Sequence, residues 1–288
     1  MFKKGIISIF YLSFFITLTL FFIFLGYVFY KGFANFSLNI IFDEASPIRA
    51  IIGKERVFDG IFNAIVGSVL VSSLATLLAL PFGFLSGVYI ASFAPRRIKS
   101  LLSFSYELLA SIPSIVIGLF GLSITIYLHK NFFGNLYTSL LISALSLAVL
   151  ILPYIVKMSE QAISNIPNQI KNSALNLGAT RYENLFLIKL PYISKDLFGG
   201  VVLAIGRAVE DTAVIMLTGA VAMAGIPNSL LSKYEAIPFF IYYISSEYQD
   251  MFELNKGYVA AMVLLFVSIA LFLFAFLIQK LSLRGKFE

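Results

Sequence analysis

Long apolar runs recur along this chain with polar intervals between them, and that pattern constrains the fold more than any single motif does. Runs of the length a bilayer demands, about 20 residues for a hydrocarbon core of about 30 Å, lie at residues 6–30, 61–93, 101–127, 136–156, 193–223 and 258–278. A helix satisfies its own backbone polar groups where water is absent, so the expectation is an all-α membrane protein with six transmembrane helices. Composition supports it: 59% of the residues are hydrophobic and 12% are charged, whereas soluble domains carry about 25% charge. The bilayer has to be the solvent for most of this surface.

The first run follows Lys3 and Lys4, is too long for a signal-peptide core and lacks a small-residue cleavage site, which predicts a retained anchor helix. Two runs exceed what a straight span needs, so tilt, a break or an extension beyond the lipid is expected, with Pro81 and Gly83 marking one such place. Orientation follows from the basic residues. With Lys3 and Lys4 in the cytoplasm, the same side collects Arg96, Arg97, Lys99, Lys157, Lys171, Arg181, Lys189, Lys195, Lys280, Arg284 and Lys286. The outer side holds fewer, Lys31, Arg49, Lys54, Arg56, Lys130, Lys233 and Lys256, mostly in loops that also carry acids such as Asp43, Glu44, Glu235 and Asp250. Both termini are therefore expected in the cytoplasm, and a net charge of +6 scattered between spans is a topology signal rather than a nucleic-acid patch.

Several chemistries are excluded at this stage. The chain has no cysteine, hence no disulfide, thiol nucleophile or cysteine metal site, and its one histidine, His129, reads as a solvated loop residue rather than a ligand or base. No G-x4-G-K-[ST] stretch is present; Gly53-Lys54 runs into Glu55 without the upstream glycine, so the chain lacks the phosphate-cradling loop of an ATPase. The phenylalanines and tyrosines fall mostly within or at the ends of spans, where lipid contact and interfacial anchoring account for them. Glu107, at the start of the third span, is expected in water or paired with Arg96, Arg97 or Lys99, while Pro113, Gly118 and Gly121 are expected to shape helix packing.

One polar interval, residues 157–192, is far longer than a hairpin connection needs. Within it, residues 169–180 carry a helical pattern that starts after Pro167 and passes Gly178, which predicts a short surface helix with a glycine stop. The stretch from Asn172 to Pro191 reads NSALNLGATRYENLFLIKLP, and it resembles the EAA loop of ABC-importer permeases, E-A-A-x3-G-x9-I-x-L-P. Ala174, Gly178, Ile188, Leu190 and Pro191 fall on matching positions; Asn172 and Ser173 depart from the pattern's Glu and Ala. Two further stretches, LASIPSIVIGLF from Leu109 and RAVEDTA from Arg207, resemble the phosphate-importer permease of the Pst system, A-type, with its A-P-S-I-V-x-G-L-F and R-x-x-G-E-T-A segments. Glu210 stands where that pattern has Gly, and Asp211 where it has Glu.

The resemblance implies a type I ABC importer permease fold, with residues 1–59 as anchor helix and external loop and residues 60–282 as the permease domain. It further implies that the EAA loop docks on a separate ATP-binding subunit, present in two copies, beside a C-type permease subunit and an external phosphate-binding protein. No cofactor belongs to this chain; ATP and Mg are bound by the partner ATPase. Independently of family, Arg207 lies about fourteen residues into the fifth span, where a guanidinium is costly unless it faces a bundle interior or wet cavity. Its fork of donors suits a tetrahedral oxyanion and stays charged at any cellular pH. Glu210 and Asp211 follow at i+3 and i+4, within reach for an intrahelical ion pair that a passing anion could displace. The expected substrate pathway is Arg207, Glu210, Asp211 and Thr212, carrying inorganic phosphate, or alternatively another oxyanion such as tungstate or molybdate. A membrane enzyme would need a catalytic cluster, and an ion-coupled secondary transporter repeated halves around a midplane site; neither is visible in the sequence.

Overall fold

The computed structural model describes residues 2–284, and these fold as helices joined by loops, with one isolated bridge between Ala220 and Tyr234. In chain order the helices are α1 (Phe2–Ala34), α2 (Leu38–Phe42), α3 (Pro47–Ile51), α4 (Phe62–Ser92), α5 (Arg96–Ser111), α6 (Ser114–Asn131), α7 (Leu140–Ser164), α8 (Asn168–Asn176) and α9 (Arg181–Asn184). A π-helical turn at Leu185–Lys189 leads into α10 (Leu190–Glu210), followed by α11 (Ala213–Thr218), α12 (Ile237–Glu247) and α13 (Met251–Arg284).

The bundle is organised around α4 and α7. Along α4 the positions Gly67, Val71, Ala75, Ala79, Gly83 and Gly87 recur every four residues and are all buried. Such a stripe lets backbones approach closely, the main attraction available between helices when lipid is as apolar as the side chains. A Cβ built on Gly83 would stand 2.8 Å from Ile155 Cβ, and one on Gly87 would stand 2.5 Å from Ser159 Cβ and 2.6 Å from the Val156 carbonyl oxygen. The central apolar cluster adds Ile117 of α6, Leu147 and Ile151 of α7, Ala204 and Ala208 of α10 and Val214 of α11. Separate clusters close the two ends of α4. Ile40, Ile61, Ile237 and Val259 gather at its start, and Val88, Ile163, Leu185 and Ile193 at its finish.

The outer helices are apolar all round. α1 has no buried residue in its most apolar window. It meets the rest through α13, where Gly32 packs on Met262 and Phe29 sits edge-on to Phe266 with ring centroids 6.0 Å apart.

Four helices among the described residues are long and apolar enough to cross a membrane, five if one bent pair counts as a single span. That pair is the expected third run. Instead of one helix over 101–127, α5 and α6 meet at 95° across Ile112 and Pro113. Pro113 has no N–H to donate and forces the residue before it out of the α region; Ile112 is extended, with ψ 128°. The expected fifth run also differs. It divides into α10 and the six-residue α11, and α10 carries four charged residues, Lys195, Asp196, Arg207 and Glu210, among its apolar ones. Residues 219–223 leave the helix altogether, because the chain turns at Gly219, where a Cβ would meet the Ser139 carbonyl oxygen at 2.5 Å. α4, by contrast, runs through Pro81 without a break.

Overpacking a close backbone approach typically costs about 1–3 kcal/mol. Gly87→Leu is therefore expected to lower the thermal midpoint and the monodisperse fraction of detergent-extracted protein. Gly26→Leu, at a position with nothing within 4 Å, is expected to leave both unchanged. Size-exclusion profiles of the two variants check the contrast.

Candidate functional site

The helix that carries Arg207 stops just beyond it. α10 ends at Glu210, Asp211 is extended at φ −76° and ψ 119°, and α11 restarts at Ala213. A break of this kind strands carbonyls at one helix end and N–H groups at the next, and inside a bilayer these need substitutes. Asp211 supplies one: its Oδ1 accepts the Val214 N–H at 2.9 Å, while Oδ2 lies 3.6 Å from Arg207 Nη2. The Asp211 side chain is 3% exposed and that of Arg207 38%. A cation in the last turn of α10 also complements the helix dipole.

Of the four expected pathway residues, the structure brings Arg207 and Asp211 together and leaves Glu210 apart. Glu210 is exposed and forms no ion pair among the described residues, because the break turns Asp211 back toward Arg207 while Glu210 stays on the outer face of α10. Thr212 is half-buried and caps α11 through its backbone only, its carbonyl accepting the Met216 N–H at 3.0 Å. Tyr192, Asp196, Gly199, Leu203, Arg207 and Glu210 fall at helical spacing and are open or half-open, whereas Ile193, Ala204 and Ala208 are buried. α10 thus offers one uncovered, partly polar face that ends at Arg207. α11 is held opposite by close packing: a Cβ on Gly118 would lie 3.1 Å from the Ala213 carbonyl, and Gly121 abuts Ser146 and Thr218. These two glycines serve helix approach as expected.

The segment resembling the EAA loop forms a projection. α8 has no buried residue and ends in Leu177, which is 89% exposed, before Gly178 turns the chain at φ +88°. That left-handed conformation is the glycine stop expected from the sequence. A capping box starts α9: Thr180 Oγ1 accepts the Glu183 N–H at 3.3 Å, and Glu183 Oε2 accepts the Thr180 N–H at 2.7 Å. The Thr180 backbone N–H, then its hydroxyl, hold the Glu183 carboxyl below its ordinary pKa. Asn184 donates from Nδ2 to the Lys171 carbonyl at 2.8 Å and ties α8 to α9. Ile188 lies in the π turn, whose last bond runs from the Leu190 N–H to the Leu185 carbonyl. Pro191 follows with no N–H, and the wider turn absorbs the mismatch. Burial, then the nearby charges of Lys171 and Arg181, push the Lys189 pKa down, so the base of the projection is a cationic cluster.

Other singled-out residues take local roles. Glu107 pairs with Lys157 at 2.6 Å rather than with Arg96, Arg97 or Lys99. Lys99 instead reaches Glu160 at 3.5 Å, and Ser103 donates to both Glu160 oxygens at 3.2 Å, so a polar network docks α5 on α7. His129 donates from Nδ1 to the Leu136 carbonyl at 3.0 Å and fastens the α6–α7 loop. One group escaped the sequence reading. Asn63, buried in α4, donates to the Val57 carbonyl at 2.8 Å and to Glu235 at 3.4 Å; an amide inside an otherwise apolar run was the available signal.

With the fold and geometry in hand, comparisons with known proteins place the chain. The family described as "binding-protein-dependent transport system inner membrane component" matches residues 79–285. The probable ABC transporter permease protein YqgI of Bacillus subtilis is 31% identical over 215 residues, covering 74% of this chain and 67% of that protein. The phosphate transport system permease protein PstA of Pasteurella multocida is 30% identical over 197 residues, 68% of each chain. PstC of Mesorhizobium japonicum is 32% identical over 176 residues, 54% of each. Among solved structures, a bacterial alginate ABC transporter aligns with TM-score 0.66 at 19% identity over 92% of this chain and 91% of that one. The MetNI methionine ABC transporter aligns with TM-score 0.56 at 15% identity over 74% and 93%. These likenesses give the fold, that of type I ABC importer permeases. A multi-pass helical membrane chain that matches the family over residues 79–285 belongs to the binding-protein-dependent transport system inner membrane components.

Proposed function

We propose that this chain is the A-type permease subunit of an ABC importer that moves inorganic phosphate into the cell. The observation that carries the reading is Arg207 standing at a helix break on the uncovered face of α10, held loosely by one carboxylate. Relatives named as phosphate permeases support the substrate. Residues 60–282 form the permease domain and residues 1–59 an anchor helix with its external loop. Both termini lie in the cytoplasm, where the projection around Leu177 meets one of two ATP-binding subunits that bind the ATP and Mg. A C-type permease faces the open side of α10, and an external phosphate-binding protein delivers the anion.

The geometry suits passage rather than storage. A charge-assisted N–H···O bond is about 2.7–2.9 Å long, so 3.6 Å between Arg207 and Asp211 leaves guanidinium donors available to phosphate oxygens. Asp211 cannot follow its partner away, because Oδ1 is committed to the Val214 N–H. It remains as a competitor that weakens the anion's hold, and conduction requires binding weak enough to release.

The testing experiment is ATP-dependent uptake of labelled phosphate into vesicles holding this subunit with its permease, ATPase and binding-protein partners. Uptake that resists tungstate and molybdate is expected; transport of another oxyanion in its place would overturn the substrate. Hydrogen bonds to charged groups contribute about 1.5–3 kcal/mol, so Arg207→Ala is expected to raise the phosphate concentration for half-maximal uptake at least about tenfold, with Arg207→Lys intermediate. Asp211→Asn keeps an oxygen for Val214 but removes the competing charge. It should lower both the half-saturating phosphate concentration and the maximal rate, read from the same uptake curves. Leu177→Asp should leave the subunit assembled yet abolish stimulation of ATP hydrolysis by the loaded binding protein.

A further inference from the structure

A cavity of about 210 Å³ opens at the N-terminal end of α4, walled by residues 58–60, the loop 221–236, α12 and the start of α13. Its charged lining is Asp59, Glu235, Glu247, Glu253 and Lys256. Lys256, its side chain 8% exposed, is committed to Asp59, with Nζ 2.5 Å from Oδ2, and stands over the Phe252 ring at 5.1 Å. Glu253 Oε2 accepts the Gln249 N–H at 2.8 Å. Glu247 is exposed and has no hydrogen bond or ion pair among the described residues. Glu235 is 5% exposed; its Oε1 accepts the Gly225 N–H at 2.7 Å and Asn63 Nδ2 at 3.4 Å, while its Oε2 has no partner among the described residues. Burial raises the Glu235 pKa; the Gly225 and Asn63 bonds lower it, and Asp59 raises it again. A cation brought against Oε2 would relieve that penalty.

The occupant can be narrowed on chemistry. The excess of carboxylates repels an oxyanion, so this is no waiting place for phosphate. The volume falls below the roughly 300–1,000 Å³ of small-molecule sites and has room for one side chain. No group of three or more His, Cys, Asp or Glu among the described residues is placed to hold a metal ion. The aromatic walls Phe239 and Tyr243 suit the apolar stem and cationic head of a basic side chain. The 31 residues of α4 make it about 46 Å long, and the cavity lies at its start whereas the cluster of Val88, Ile163 and Leu185 beneath the Leu177 projection lies at its finish, so the two features belong to opposite ends of the helix.

We infer that this cavity is a socket for one lysine or arginine side chain of the external solute-binding partner, with Glu235 at its base and Glu247 at its rim. The inference rests on the importer reading above. It is tested by measuring binding of the solute-binding protein to the assembled permease–ATPase complex in nanodiscs at several salt concentrations. Replacing both acids, Glu235→Gln with Glu247→Gln, should weaken binding at least about tenfold and flatten its salt dependence. Glu44→Gln, an exposed carboxylate outside the cavity, should change neither. Glu235→Gln retains an oxygen for Gly225; if that variant nonetheless fails to assemble, Glu247→Lys at the exposed rim carries the test and should abolish binding. A photo-crosslinker at Tyr243 should join the partner within a few residues of a lysine or arginine. Unchanged affinity in these variants, or an adduct remote from any basic residue, overturns the socket. Failure of the unaltered complex to bind any solute-binding protein would instead overturn the importer reading beneath it.

Discussion

Every departure from a continuous helix in this bundle has to answer one constraint, that backbone N–H and C=O groups in lipid find partners inside the protein. The three main departures answer it differently. At Ile112–Pro113 the chain turns by 95°, and the amphipathic α5 that results is held to α7 by Ser103, Lys99 and Glu107 acting on Glu160 and Lys157. Before Pro191, which has no N–H to donate, the helix widens to a π turn closed by the Leu190 N–H on the Leu185 carbonyl. At Asp211 a carboxylate replaces the lost backbone acceptor for Val214. Only this last solution places a buried charge at the break, and that charge is what makes an arginine tolerable beside it.

The α4–α7 pair is the rigid member between these places. Its stripe of small residues leaves no slack for sliding, since Gly87 already brings a backbone carbonyl of α7 within contact distance. Interiors packed this closely transmit displacement rather than absorb it. One end of α4 bears the cluster of Val88, Ile163, Leu185 and Ile193 beneath the exposed Leu177 loop, and the other bears Asn63 and the Glu235 network. Ile193 of α10 and Val88 of α4 share the cluster beneath the projection, so under the proposed docking of an ATP-binding subunit both helices lie in direct packing contact with the docked segment.

The fold was legible because its signals are redundant. Each of the six apolar runs contains helix, and the surface helix with its glycine stop appears as α8 and Gly178. What was not legible depends on single residues acting against their surroundings. Pro113 is expected from the sequence to shape helix packing, and a third run apolar enough for one span conceals that it breaks the helix instead. The pairing of Arg207 with Asp211 fits an unbroken helix equally well, so spacing alone did not disclose that α10 ends there. Glu235 and Asn63 stand 172 positions apart, and no local pattern joins them.

The electrostatics of the two ends explain why a cation at the break and acids at the far mouth can serve one molecule. The carboxylates around Glu235 lie in a closed corner formed by α12, α13 and the returning loop. Arg207 instead sits on a face of α10 that is left open among the described residues. The exposed acids of that corner, Asp59 and Glu247, are screened by salt over a Debye length of about 8 Å, and Asp59 is already paired with Lys256. On the proposed reading, an anion arriving along the open face of α10 meets Arg207 and not the corner, which leaves the acids to hold something positively charged.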